Sequence, residues 1–135
     1  MKRILVVDDE PSIRRALVLG LTSKEFEVDA AEDGRQGVRL GARKPYDVLI
    51  VDLCLPDIDG LEVIRKIGTH SPESVSIVIT GNPRKENHIE ATKKGVSAYL
   101  EKPLDLKSVE QAILHGLEQR ETKHKIIKKK SGYPP

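Results

Sequence analysis

The chain has 135 residues, 38% hydrophobic and 33% charged, which suits one soluble domain with a single buried core. Aromatic residues make up only 3%, so that core has to be aliphatic, built on Val, Ile, Leu and Ala. The net charge of +2 hides an asymmetry: residues 120–135 hold six Lys/Arg against one acid, leaving 17 bases and 20 acids in residues 1–119.

Ile4-Leu5-Val6-Val7 reads as a first strand, ended by Asp8-Asp9-Glu10. At four residues it is too short for the apolar core of a signal peptide, and no stretch approaches membrane-spanning length. Pro11 suits a first helical turn, and Ile13, Ala16, Leu17, Gly20 and Leu21 then repeat on one helix face. A short, less apolar strand over Glu27-Val28-Asp29-Ala30 is expected at a sheet edge. Asp33-Gly34 opens a second helix whose inward face, Gly37, Val38, Gly41 and Ala42, is small enough to approach the sheet closely.

Val48-Leu49-Ile50-Val51 is a strand ending at Asp52, followed by a loop over Leu53–Gly60 and a helix carrying Leu61, Ile64 and Ile67. The run from Val75 to Ile79 leads to Thr80-Gly81-Asn82-Pro83. The helix near residues 84–94 has only Ile89 and Ala91 as plain apolar residues, so it is expected to be the loosest, where switching costs least. Ala98-Tyr99-Leu100 is a short strand before Glu101-Lys102-Pro103. The last helix, from about Asp105, carries Val109, Ala112, Ile113, Gly116 and Leu117 on one face. The single Cys54 cannot form an internal disulfide, which fits a reducing, cytoplasmic compartment.

Five alternating strand–helix units predict an α/β fold with one doubly wound parallel sheet. Neighbouring parallel strands would bring Asp8, Asp9, Asp52 and Thr80 to the carboxyl edge of that sheet, where open α/β sheets bind ligands. Carboxylates gathered there repel one another unless a cation sits among them. Asp8, Asp9 and Asp52 with one divalent ion leave a single negative charge, which the Lys102 ammonium balances. That arrangement suits Mg²⁺ beside a nucleophilic carboxylate, since phosphoryl transfer needs mainly positioning and charge stabilisation.

Asp8-Asp9 after the first strand, Asp52 after the third, Pro56 and Gly60 in the next loop, Thr80-Gly81 after the fourth and Lys102-Pro103 after the fifth resemble a response-regulator receiver domain. The resemblance spans roughly residues 3–118, placing a receiver over 1–119 and a basic tail or linker start over 120–135. It implies a five-stranded flavodoxin-like sheet of order 2-1-3-4-5 with five helices. It makes Asp52 the phosphoacceptor, with Lys102 and Thr80 binding the phosphoryl group. Mg²⁺ would be held by Asp9, Asp52 and the backbone carbonyl of Cys54, with Asp8 acting largely through water. Pro103 is the candidate for a cis bond, and Thr80 with Tyr99 for a coupled switch.

The resemblance further implies a sensor histidine kinase or phosphotransfer protein as phosphodonor. The output domain or protein would be reached through the face of the fourth helix, fifth strand and last helix, and a phosphorylation-dependent homodimer stays open. A pseudo-receiver acting by protein interaction alone is the main rival. A haloacid-dehalogenase-type phosphatase would need an acid where Cys54 stands, and Asp8-Asp9-Glu10 would repel the phosphate of a flavin nucleotide. The tail has neither aromatic interleaving nor a recognition helix, so direct nucleic-acid binding is not expected, nor is membrane binding.

Overall fold

The computed structural model describes residues 1–82 and 84–130. Pro83 and Ser131–Pro135, which end the fourth loop and the tail, lie outside the described residues. The elements alternate: β1 (Lys2–Val7), α1 (Pro11–Leu21), β2 (Phe26–Ala31), α2 (Gly34–Arg43), β3 (Val48–Asp52), α3 (Gly60–Gly68), β4 (Val75–Thr80), α4 (Lys85–Lys93), β5 (Ala98–Glu101) and α5 (Leu106–Lys130). All strand pairs are parallel, in the order β2-β1-β3-β4-β5. The less apolar β2 is an edge strand, and the aliphatic β3 is central with every residue buried.

Side chains alternate across a strand, and that period divides the core into two layers. Ile4, Val6, Val48, Ile50, Val75, Ile77 and Ile79 face Leu17 and Leu21 of α1 and Val109, Ile113 and Leu117 of α5. Leu5, Val7, Leu49 and Val51 face the other way, against Val63 and Ile67 of α3 and Val38 and Leu40 of α2. Val78 packs with Leu53, Leu61 and Ala91, which anchors α4. Ala91 is the one buried residue of α4 among its described side chains, and Ile89 is 45% exposed.

The small face of α2 does meet the sheet. A Cβ on Gly37 would lie 2.8 Å from Val7, and one on Gly41 would lie 2.8 Å from Ile67. Ala42 is the exception. It is exposed, and Leu40 takes part in the core instead, because α2 rolls to seat Gly34, Gly37 and Gly41 inward. On α1 the expected face packs inward through Ile13, Leu17 and Leu21, with Ala16 and Gly20 exposed.

The lower half of the β2–β3 side is closed by a polar cluster. The Tyr46 ring is buried, and its hydroxyl donates to Asp29 Oδ2 at 2.7 Å, while Lys44 Nζ lies 2.9 Å from the same oxygen. Burial favours the neutral acid at Asp29, but the Tyr46 hydroxyl and the Lys44 ammonium outweigh it and hold the carboxyl below its ordinary value of 3.8. A depressed folded value means stability present above the unfolded value and lost as the pH falls below it. Tyr46→Phe should therefore cost about 1–2 kcal/mol near neutral pH, the worth of a hydrogen bond to a charged group. The difference from wild type should shrink once the pH falls below about 4 and be smallest below the depressed folded value of Asp29. Urea midpoints across that range check this, and a pH-independent deficit would mean lost packing instead.

Candidate functional site

Backbone hydrogen bonds carry the ladder past the strand ends and so fix the tips. The N–H of Asp8 donates to Ala31 O at 3.1 Å, that of Leu53 to Ile79 O at 2.9 Å, and that of Lys102 to Thr80 O at 2.8 Å. The Arg14 Nη1 from α1 donates to the Asp8 carbonyl at 2.8 Å. These ties bring Asp8, Asp52, Thr80 and Lys102 to one edge of the sheet. Asp8 and Thr80 are fully buried there, and Asp52 is 3% exposed.

Lys102 is the hub. Its Nζ lies 2.9 Å from Asp52 Oδ2, 2.7 Å from Glu10 Oε1 and 3.1 Å from Asp8 Oδ2. Burial alone would lower the ammonium's pKa, but donating to Glu10 and Asp52 and lying beside the Asp8 carboxylate outweigh it, so the pKa rises and the side chain stays charged. The Lys102–Pro103 bond is cis. The other oxygen of Asp52, Oδ1, accepts from the Cys54 N–H at 3.0 Å, while the Cys54 side chain is exposed.

Asp8, Glu10 and Asp52 each offer an oxygen within 4.8 Å of the others. Three carboxylates against one ammonium leave a formal charge of −2, which matches a divalent ion. Asp8 shows the strain of that imbalance. Burial, together with the Asp52 charge, raises its pKa above the ordinary value despite the Glu10 N–H on Oδ1 and the nearby Lys102. Its Oδ2 is within ion-pairing distance of Lys102 but outside hydrogen-bond alignment, and this buried atom has no hydrogen-bond partner among the described residues. A buried acceptor left in that condition fits a cation. Hard oxygen donors of this kind suit a small divalent ion that keeps several waters.

Asp9 is not in that trio. It is exposed, and the next acid, Glu10, reaches Lys102 instead. Glu10 is the N-cap of α1 but its side chain makes no cap hydrogen bond, which frees the carboxylate for the site. Sequence reading passed over this role, although the third acid of Asp8-Asp9-Glu10 was there to be weighed. Asp57 was missed as well. It caps a helix other than the one it precedes, accepting from the N–H groups of Gly34 and Arg35 of α2 at 2.9 Å each, and so ties the β3–α3 loop to α2. Desolvation works against its charge, but these backbone donors prevail and lower its pKa.

The hydroxyl oxygen of Thr80 accepts from the Asn82 N–H at 3.1 Å. Tyr99 on β5 is half-buried among Leu53, Leu61, Val78 and Ala91, with its hydroxyl shielded and without a hydrogen-bond partner among the described residues. Burial first, then the neighbouring Cys54 and Glu101, raise its pKa. The imidazole of His88 on α4 packs edge-on against the Tyr99 ring, centroids 5.0 Å apart. Ring, helix and strand tip thus form one contiguous region beside the acids.

A family model described as "Response regulator receiver domain" matches residues 4–114. The transcriptional regulatory protein GlrR of Escherichia coli (strain K12) is 35% identical over 116 residues, 86% of this chain and 26% of that protein. The chain therefore spans about a quarter of that relative's length. A crystal structure of a response regulator protein from Burkholderia pseudomallei, with a phosphorylated aspartic acid, calcium ion and citrate, is similar with a TM-score of 0.78 and 26% identity. That likeness covers 91% of this chain and 73% of the other. The solution structure of the beryllofluoride-activated NtrC4 receiver domain dimer is similar with a TM-score of 0.82 and 37% identity, covering 89% of this chain and 99% of that one.

Proposed function

The chain belongs to the response regulator receiver domain family of two-component signalling, and from that membership we propose that Asp52 accepts a phosphoryl group from a sensor histidine kinase or phosphotransfer protein. The observation that carries this reading is the Asp52 carboxylate itself: 3% exposed at the tip of β3, one oxygen held by the Cys54 N–H and the other by Lys102. A carboxylate so held is aimed, the positional requirement for attack on phosphorus.

One oxygen of Asp52 forms the bond to phosphorus as the bond to the donor's leaving atom breaks, and the electron pair departs with the donor. Lys102 offers N–H groups to the phosphoryl oxygens, and Thr80 turns its hydroxyl to donate to one of them. A bound Mg²⁺ supplies charge neutralisation and orients the phosphoryl oxygens. Asp8 and Asp52 would hold it, with the exposed Asp9 and the Cys54 carbonyl completing the protein's contribution. The structure of the Burkholderia pseudomallei relative, with a phosphorylated aspartic acid and a calcium ion, supports a divalent ion in this role.

Drawing Thr80 toward the phosphoryl group releases it from Asn82 and opens space for Tyr99, which carries His88 and α4 with it. The output then reads the face formed by α4, β5 and α5, through a partner protein, a further domain or a second copy. The activated dimer of the NtrC4 relative supports the last of these. Residues 1–119 act as the receiver. The basic segment 120–135 serves as a tail or the start of a linker, its described part continuing α5 to Lys130. We place the protein in the cytoplasm, and no helix among the described residues is long and apolar enough to cross a membrane.

Incubation with acetyl phosphate and MgCl₂, followed by intact mass, tests this. Wild type is expected to gain one phosphate, and Asp52→Asn none. The phosphorylated wild type should also shift the resonances of Tyr99 and His88. A wild type that gains nothing, under conditions where it binds Mg²⁺, would favour a phosphorylation-independent interaction module.

A further inference from the structure

Lys102 cannot serve the incoming phosphate while all its contacts are kept. An ammonium has three N–H groups. Here two are hydrogen-bonded, to Glu10 at 2.7 Å and Asp52 at 2.9 Å, and Asp8 Oδ2 lies 3.1 Å away. A phosphoryl group on Asp52 would be a fourth anionic neighbour around three N–H groups, so one of the present partners has to yield. The three acids are not equally bound. Asp8 and Asp52 have side chains 0% and 5% exposed, whereas that of Glu10 is 52% exposed. Leaving either buried acid without a cation is costly, and releasing a solvated carboxylate costs little. Glu10 is the partner that can leave.

Where it would go is set by the same geometry. The Glu10 carboxylate lies within 4.8 Å of oxygens from both Asp8 and Asp52, so it already borders the place a cation would take. The fully buried Asp8 carboxylate shares that border, and its Oδ2 has no hydrogen-bond partner among the described residues. The backbone N–H of Glu10 is tied to Asp8 Oδ1 at 2.8 Å, which anchors its main chain while the side chain, unused as a cap, stays free to turn.

We propose that Glu10 is an exchangeable guard of Lys102. Its carboxylate neutralises the ammonium in the cation-free protein and moves to the divalent ion when the site fills, releasing one Nζ–H for the phosphoryl oxygens. The proposal rests on the reading of Asp52 as phosphoacceptor and makes Glu10 a positioning residue for that transfer. Cation binding and readiness of Lys102 become one event: without the ion, Lys102 is spent on Glu10.

Calorimetric titration with MgCl₂, without any phosphodonor, reads this directly in wild type, Glu10→Gln, Glu10→Asp and Asp9→Asn. Glu10→Gln is expected to weaken Mg²⁺ binding about tenfold, within the range seen when an oriented partner of a metal site is removed. Glu10→Asp keeps the charge but shortens the reach, and should lose nearly as much. In wild type, MgCl₂ should also shift the Lys102 Nζ resonance of nitrogen-labelled protein, and in Glu10→Gln that resonance should start displaced and respond less. Because Glu10 is half exposed, both variants should melt within a degree or two of wild type.

Unchanged affinity in Glu10→Gln would overturn the proposal. So would wild-type affinity in Glu10→Asp, which would reduce Glu10 to a diffuse charge. Loss confined to Asp9→Asn would transfer the role to Asp9. Each of these leaves the phosphate adduct on the wild-type protein intact, whereas failure of the reading beneath it appears as no adduct on the wild type.

Discussion

Lys102→Met is expected to lose about 3 kcal/mol of folding stability near neutral pH in the absence of divalent ions, and to regain most of it when MgCl₂ is added. Methionine fills a similar volume, so the deficit is electrostatic. Removing the ammonium leaves the Asp8, Glu10 and Asp52 oxygens within 4.8 Å of one another with no cation. Two charges at that separation repel by about 3 kcal/mol at an effective dielectric constant of about 20. Glu10 is solvated and contributes little, so the Asp8–Asp52 pair dominates. Relief from no longer burying the ammonium works the other way, and proton uptake by Asp8 caps the cost.

The pH dependence follows from Asp8. Its folded pKa already stands above the ordinary 3.8 because it is buried, and losing Lys102 raises it further. A carboxyl with a raised folded value takes up its proton more readily when folded, so the stability of the variant should improve as the pH falls from about 7 toward 5. Urea midpoints at both pH values, with and without MgCl₂, separate the effects. Equal stability of variant and wild type at neutral pH without the ion would mean that the three acids do not strain the fold, and the cation argument would fail with it. Loss of the phosphate adduct should accompany the change even with Mg²⁺ present, because the ion does not replace the donors of Lys102.

Much of this architecture could be read from residue periods. The aliphatic runs ending at Asp8, Asp52 and Thr80 became β1, β3 and β4, and the face Val109, Ala112, Ile113, Gly116, Leu117 of α5 packs inward as the 3.6-residue repeat requires. Periodicity fails where a helix is set by close approach rather than by side-chain size. On α2, Gly37 seats against Val7 of β1 while Gly34 and Gly41 seat against Ile58, Val63 and Ile67 of the next loop and α3, and that roll exposes Ala42, which the spacing of small residues had turned inward. On α3 the buried Val63 escaped notice because Ile64 beside it looked equivalent.

At the site, the sequence marks which residues stand at strand tips, because the end of an apolar run is sharp. It does not mark how a side chain bends back from the loop. Glu10 reaches Lys102, 92 positions away, only because α1 starts one residue later and turns that side chain over the sheet edge. Asp57 likewise caps α2 rather than its own helix, a pairing 22 and 23 positions apart that no local rule predicts. Long-range polar contacts made by loop residues are the part that sequence periods leave undetermined.

The second large effect concerns two glycines at opposite ends of α3, for which opposite signs are expected. A Cβ on Gly60 would lie 2.3 Å from Asp52 O and 2.8 Å from Leu53 Cα. Both are backbone atoms, so no side-chain rotation can relieve the clash. Either the start of α3 or the end of β3 has to move. Overpacking costs about 1–3 kcal/mol, and a rigid backbone neighbour puts Gly60→Ala toward the upper end. The gain in helix propensity, about 1 kcal/mol at an interior position and less in the first turn, does not offset it. Net destabilisation of about 2 kcal/mol is expected. Because the displaced atoms belong to Asp52, the yield of phosphate adduct should fall together with stability.

Gly68 closes the same helix, and a Cβ there meets nothing within 4 Å. Gly68→Ala should therefore be neutral or stabilising by up to about 1 kcal/mol, with the adduct yield untouched. Measuring both variants side by side removes propensity as an explanation, since the residue change is identical. If Gly60→Ala proved as stable as Gly68→Ala and took phosphate equally well, the close approach of α3 to the phosphoacceptor strand would not be what positions Asp52.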